Sequence, residues 1–257
     1  MSVVNIGHWR ADAAWHRIDL LSDVHLHASA PGTFEAWKRH LLRTPADAVL
    51  ILGDLFEVWV GDDARDDGFE RACTDVLRSV GRKKALGFMA GNRDFLLGTA
   101  MRRETGLREL PDPTLAQAFG QCLLLSHGDA LCLADAAYQR FRAEVRTTAW
   151  QTAFLALPLE ERRHRARAMR DASVQHQAGM APDECADADA ALARAWLAEA
   201  RADHLVHGHT HRPATHPMPG GQTRWVLGDW NFDTLPHRAR MLVWTVKGLQ
   251  GIDLAAP

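Results

Sequence analysis

The chain has 257 residues, 47% of them hydrophobic, with 30 basic and 32 acidic side chains and a formal net charge of −2. That length allows one large domain or a domain carrying an insertion, and the balanced charge argues against a nucleic-acid partner. No stretch approaches the ~18 apolar residues of a membrane-spanning helix, and residues 1–17 lack the apolar centre of a signal peptide.

Cys73, Cys122, Cys132 and Cys185 form no CxxC pair. Reduced thiols in a reducing compartment are expected. A cytoplasmic protein, free to lie on a membrane surface, is the corresponding expectation.

Residues 1–16 carry little signal. Residues 17–22 read as a buried strand. Residues 33–43 read as a helix, with Phe34, Trp37, Leu41 and Leu42 spaced for one face. Residues 48–52, AVLIL, form a continuous apolar run of strand length, buried on both faces. A second helix is expected over 70–80, stopped by Gly81. Further strands are expected over 85–90, 121–125, 204–206, 224–227 and 241–246. Strands alternating with helices indicate an α/β layered domain.

Residues 135–201 break this rhythm. They are rich in Ala and Arg, poor in β-branched residues, and helically spaced. Tyr138, Phe141 and Val145 share a face, followed by Trp150, Phe154, Leu155 and Leu157 before Pro158. This is a helical insertion between core strands. It either caps a site or packs as a layer on the sheet.

Five apolar runs end in groups able to bind a metal: Asp23-Val24-His25, Gly53-Asp54, Gly91-Asn92, His127-Gly128 and His207-Gly208-His209. Ligands of α/β proteins collect at the carboxyl ends of strands. Asp23, His25, Asp54, Asn92, His127, His207 and His209 are too many donors for one tetrahedral ion and suit two ions sharing a bridge. Asp54 is the candidate bridge, since each carboxylate oxygen can take an ion. Imidazole, carboxylate and amide without thiolate suit Mn, Fe or Zn better than Ca or Cu(I). Paired ions of this kind support phosphoester hydrolysis.

These five blocks, in this order, resemble the calcineurin-like metallophosphoesterases. The resemblance implies an α/β fold, a four-layer αββα sandwich with a dimetal site. The core would comprise residues 17–134 and 202–254, and the cap residues 135–201. It also implies one ion on Asp23, His25, Asp54 and His209, and a second on Asp54, Asn92, His127 and His207. Most members carry His after the Asn of the third block, where it is thought to protonate the leaving oxygen. Here Arg93 stands in its place. Arginine stays protonated and cannot be a general acid, but it can clamp a phosphate in a fork. A leaving phosphate needs little protonation, because its second pKa is about 6, so a diphosphate substrate is expected. A simple ion pair of Arg93 with Asp94 is the other reading.

Longer strings are more specific: ILGDLFEVW over 51–59 followed by Gly61-Asp62-Asp63, GNRDFLLG over 91–98, Tyr138-Gln139 with Phe141-Arg142, FLALP over 154–158 and HGHTHRP over 207–213. Together they resemble the UDP-2,3-diacylglucosamine diphosphatase family of lipid A synthesis. That resemblance implies two Mn2+ ions and release of UMP and a lipid monosaccharide 1-phosphate from UDP-2,3-diacylglucosamine. Asp54, Asn92 and Arg93 would carry catalysis. Asn92, Arg93, Asp135, Ser173 and His207 would contact substrate. Gln177 and Met180 stand where the family has Asn and Lys; Gln177 can still hydrogen-bond, but Met180 cannot pair with a phosphate. A monomer on the inner-membrane surface is expected.

Two acyl chains need an apolar chamber. Tyr138, Phe141, Trp150, Phe154 and Leu157 either line it or pack the helices. Arg162, Arg163, Arg165, Arg167 and Arg170 either face anionic headgroups or substrate, or form a solvated face. The competing functions are a broader dimetal phosphodiesterase or nuclease, and a scaffold that keeps the fold without catalysis. The scaffold should have lost metal ligands, and none is missing here.

Overall fold

A computed structural model describes residues 4–178 and 187–256, with the backbone alone for 171–178. In chain order the elements are β1 (Gly7–Arg10), β2 (Ile18–Leu21), α1 (Pro31–Arg43), β3 (Ala48–Leu52), α2 (Gly68–Gly81), β4 (Ala85–Met89), α3 (Thr99–Thr105), β5 (Leu107–Leu110), β6 (Thr114–Ala118) and β7 (Gln121–Leu125). The insertion follows as α4 (Ala136–Val145), α5 (Thr148–Leu155), α6 (Leu159–Ala178) and α7 (Ala190–Ala200). The chain closes with β8 (His204–His207), β9 (Ala214–Pro217), β10 (Thr223–Val226), β11 (Trp230–Asn231), β12 (Arg238–Thr245) and β13 (Gly248–Asp253).

The strands form two sheets. One runs β1-β6-β7-β8-β10-β9; the other runs β11-β12-β2-β3-β4-β5, with β13 on β12. Strand β3 lies between β2 and β4, parallel to both, with Ile51 opposite Leu21 and Phe88. Its side chains alternate between two cores, as strand geometry requires. Val49 and Ile51 face outward with Leu21 and Phe88, against Trp37 and Leu41 of α1 and Leu77 of α2. Leu50 and Leu52 face inward with Leu20, against Leu123, Leu125 and Val206 of the other sheet. On that sheet's far side Leu124 and Leu205 meet Trp196 and Leu197 of α7. The layers are therefore helix, sheet, sheet, helix.

The N-terminus of α1 has no cap from Ala30. Asp233 supplies it, accepting from the Gly32 and Thr33 amides at 2.7 and 3.0 Å, so the first-turn donors are satisfied from a distant loop. Gly81, expected to stop α2, is its last residue. Strands β1, β5, β6, β9, β11 and β13 and helix α3 carry too little apolar pattern to be read in advance. Strands β1, β9 and β13 each keep part of their residues exposed.

The four helices between β7 and β8 divide. Helix α7 joins the layer on the six-stranded sheet, whereas α4, α5 and α6 lie against the loops that follow the core strands. Phe154 is 6% exposed, stacks on Trp150 with ring centroids 4.8 Å apart, and shares a core cluster with Leu96 and Leu97. Trp150 and Leu157 pack against the same cluster, while Phe141 remains 39% exposed. Among the described residues, no helix is long and apolar enough to cross a membrane.

Candidate metal centre

Strands β2, β3 and β4 run parallel in one sheet, and β7 and β8 run parallel in the other. Their carboxyl ends deliver Asp23 and His25, Asp54, Asn92, His127, and His207 with His209. Backbone bonds stitch these loops together. The Asp23 amide donates to Gly53 O at 3.1 Å, His25 to Asp54 O at 3.0 Å, and Leu26 to Leu55 O at 2.9 Å. Asp23, His25, Asp54, His209 and His211 all take positive φ, between 50° and 65°. Non-glycine residues rarely do so, and such strain gathers at functional sites. Gly208 is required by proximity: a Cβ there would run into the Asp23 carboxylate and the Ser22 hydroxyl. Its absence lets the His209 amide donate to Asp23 Oδ2 at 3.0 Å.

Two groups of donors result, Asp23 with His25 and His211, and Asp54 with His127 and His209; within each, the ligand atoms lie within 4.8 Å of one another. Asn92 Oδ1 is 2.9 Å from both His127 Nε2 and His209 Nδ1. His211 Nε2 is 3.2 Å from Asp23 Oδ1 and 3.2 Å from His25 Nε2. His207 is fully buried beside the others but lies outside both groups. Its Nε2 is 3.2 Å from Arg224 Nη1, and Arg224 is paired with Asp187 at 2.8 Å. Six of the seven expected ligands therefore meet or adjoin, with His209 beside Asp54 and His211 beside Asp23.

The electrostatics favour a cation between these donors. Burial opposes charge on Asp23, yet the His211 hydrogen bond and the charges of His211, His127 and His25 hold its carboxyl well below the usual range. Burial also works against a charged His127, but Asp54, Asp129 and Asp23 raise it to about 9. His209 is lowered to about 4 by burial and by the charge of His127. His207 is lowered to about 4 by burial, with Arg224 adding to the effect. Acid groups thus compete to place positive charge among the imidazoles. Nitrogen and oxygen donors of this kind fit borderline and hard divalent ions such as Mn, Fe or Zn, so the donor set fits a dimetal site.

Around the donors, Asp94 is taken up by backbone amides. Its carboxylate accepts backbone bonds from Leu55 at 2.7 Å and Gly91 at 2.9 Å, with longer ones from Asp54 and Phe56, both 3.3 Å. Arg93 pairs instead with Glu57, at 3.7 Å, and its Nε is buried without an acceptor among the described residues. Its amide donates to Asp54 Oδ1 at 2.9 Å. Glu57 also meets His25 Nδ1 at 3.0 Å. Burial raises the Glu57 carboxyl, but His25, Arg93 and Arg170 bring it down to about 2.

Helix α4 is anchored to the same region. Tyr138 donates its hydroxyl to Asp129 at 2.6 Å, and Arg142 Nε donates to Asp129 at 2.8 Å. The Tyr138 ring stacks on His209 at 5.9 Å. Asp135 caps α4, accepting from the Tyr138 amide through Oδ1 at 2.8 Å. Ser173 and Gln177 lie on α6 where side chains are outside the described residues, as is the whole of Met180. The arginine run is largely neutralised. Buried Arg162 pairs with Asp63 and Arg163 with Asp67 and Glu160, while Arg165 pairs with Glu161 and Arg170 with Glu57. Cys73, Cys122 and Cys132 are free thiols; Cys185 lies outside the described residues.

Sequence reasoning passed over His211 and Glu57. The H-x-H-x-H spacing of His207, His209 and His211 was the available signal for the first. For Glu57 there was only its position three residues after Asp54.

The calcineurin-like phosphoesterase family matches residues 16–213. The UDP-2,3-diacylglucosamine hydrolase of Chromobacterium violaceum is 43% identical over 221 residues, which cover 83% of this chain and 90% of that one. The protein of the same name from Stenotrophomonas maltophilia is 41% identical, over 82% of this chain and 89% of that one. The one from Ralstonia nicotianae is 40% identical, over 86% and 87%. With its five motif blocks brought to one end of a four-layer sandwich, this chain belongs to the calcineurin-like phosphoesterases and, within them, to the family of these UDP-2,3-diacylglucosamine hydrolases.

Proposed function

We propose that the chain hydrolyses the diphosphate bond of UDP-2,3-diacylglucosamine to UMP and 2,3-diacylglucosamine 1-phosphate, a step of lipid A synthesis, with two Mn2+ ions. The observation that carries this reading is the pair of carboxylate–imidazole groups with Arg93 at their edge, in a chain 43% identical to a hydrolase of that name. Asp23, His25, Asp54 and His209 would hold one ion, and Asp54, Asn92, His127 and His207 the other. Such ions neutralise phosphoryl oxygens and acidify water.

The chain's own residues do the rest. Asp54 would belong to both ligand sets, and the Arg93 amide donates to its Oδ1. Arg93 keeps a permanent charge and a buried Nε donor without an acceptor among the described residues, which suits it to grip a phosphate. It supplies no proton, and a leaving phosphate requires none at neutral pH. Of residues 135–201, α4, α5 and α6 are the cap and lie over the strand-end loops to receive the acyl chains, whereas α7 packs on the six-stranded sheet. By the resemblance, Asp135 and Ser173 would contact substrate, Gln177 could hydrogen-bond in place of the family Asn, and Met180, where the family has Lys, could not pair with a phosphate. The working place is the cytoplasmic face of the inner membrane, with the chain as a peripheral monomer.

The test is turnover of UDP-2,3-diacylglucosamine with and without Mn2+, read as UMP. Mn2+-dependent UMP release is expected. Arg93→Ala should slow it on the order of 10²–10³-fold, the usual cost of one preorganised charge-stabilising donor. No UMP release, beside good activity on a simple aryl phosphodiester, would establish the broader dimetal phosphodiesterase instead.

A further inference from the structure

Glu57 lies three residues past Asp54, in a segment bonded to both neighbouring loops. Its amide donates to Leu26 O at 3.1 Å, and the Trp59 amide donates to Arg93 O at 3.0 Å. The carboxylate is only 13% exposed, and its two oxygens serve different parts of the molecule. Oε2 meets His25 Nδ1 at 3.0 Å. Oε1 meets Arg170 Nε of α6 at 2.6 Å and Arg93 Nη1 at 3.7 Å. One buried anion thus touches a member of the Asp23 donor group, the guanidinium of the third block, and a cationic side chain of the insertion.

We propose that Glu57 is a positioning residue that couples the helical cap to the metal centre. This rests on reading Asp23 and His25 as metal ligands. Oε2 lies 3.0 Å from His25 Nδ1 as an ion-pair contact rather than a well-formed hydrogen bond, which keeps Nδ1 on the Glu57 side and Nε2 toward His211 and the donor group; carboxylate partners of this kind orient metal-binding imidazoles. Oε1 holds Arg170 and draws Arg93 to the same side. The strength of the site therefore depends on where α6 sits. The N-terminal part of α6 has independent anchors, Arg162 on Asp63 and Arg163 on Asp67. Further along the helix, Arg170 pairs with Glu57. Loss of Glu57 should loosen that part of the helix and not its first turns.

Mn2+ binding by the substrate-free protein, measured by calorimetry and by electron paramagnetic resonance of unbound Mn2+, tests this directly. Glu57→Gln keeps shape and one acceptor oxygen, and Glu57→Ala removes both. Each should weaken Mn2+ binding roughly 10- to 100-fold, the range for orienting partners of metal ligands. Arg170→Ala should weaken it about 2- to 5-fold although Arg170 touches no ligand, and the Glu57→Ala, Arg170→Ala double variant should be no weaker than Glu57→Ala alone. Hydrogen exchange should show loss of protection around residue 170 in Glu57→Ala, with protection retained at 159–163. Wild-type Mn2+ affinity in Glu57→Gln, or additive effects in the double variant, would overturn the coupling while leaving the proposed reaction intact. A wild-type protein that binds no Mn2+ would overturn both.

Discussion

Asp94 bears most directly on how the third motif block is built. Asp94→Ala removes a carboxylate that accepts two short backbone bonds, from Leu55 at 2.7 Å and Gly91 at 2.9 Å. The bonds from Asp54 and Phe56, both 3.3 Å, add little. A hydrogen bond to a charged group contributes about 1.5–3 kcal/mol, so the two short ones amount to roughly 3–6 kcal/mol. Part of this is returned, because burial and the neighbouring Asp54 charge raise the Asp94 carboxyl to about 7, marking it as costly to ionise. A net loss of roughly 2–4 kcal/mol is expected, within the range for orphaned buried donors. The assay is urea denaturation in EDTA, which keeps metal linkage out of the comparison. Asp94→Asn keeps one acceptor and turns an N–H toward backbone N–H groups, so it should cost at least about 1 kcal/mol. A folded Asp94→Ala protein within about 0.5 kcal/mol of wild type, inside the range of an ordinary surface substitution, would refute the reasoning.

Asp54→Ala should abolish UMP release and reduce bound Mn2+ below two per chain, measured by elemental analysis after gel filtration; retained activity would remove Asp54 from the bridging position. Phe154→Ala should cost about 3 kcal/mol in urea denaturation, the lower end for a buried phenylalanine, because Phe154 is 6% exposed against Trp150 and the core. A negligible loss would mean that α5 is not docked on the sandwich. Asp19 tests acid stability. Burial raises its carboxyl, but bonds from His40, Arg17 and Thr44 outweigh this and set it below its ordinary 3.8. A depressed carboxyl adds stability that is present above its unfolded pKa and lost as pH falls through its folded pKa. Asp19→Asn should therefore flatten the fall in stability below about pH 4, followed by denaturation at stepped pH, whereas an unchanged slope would show that other carboxyls carry it.

The parts legible in the sequence are those whose cause is local. Ala48 to Leu52 reads as a central strand because a run buried on both faces has no polar side to show. The metal motifs read because each follows a strand, and four of the five carry a glycine where a side chain would clash, as at Gly208 against Asp23. What escaped is decided by partners far along the chain. Strand β1 exists because β6 offers it an edge, residue 7 opposite residue 114. Arg162 reads as one of five arginines in a charged run, yet it is buried by Asp63 and the Val60 carbonyl, about a hundred residues earlier.

The same distinction governs the site. His209 and His211 both take positive φ, and those two turns, rather than the spacing, place His211 on Asp23 and His209 beside Asn92. Glu57 is the extreme case. In sequence only its place three residues after Asp54 marks it, and its importance comes from His25, Arg93 and Arg170 arriving from three separate segments. Motif residues identify the chemistry because the reaction constrains their types. The groups that hold them are constrained only by geometry, so the fold has to be in hand before they can be named.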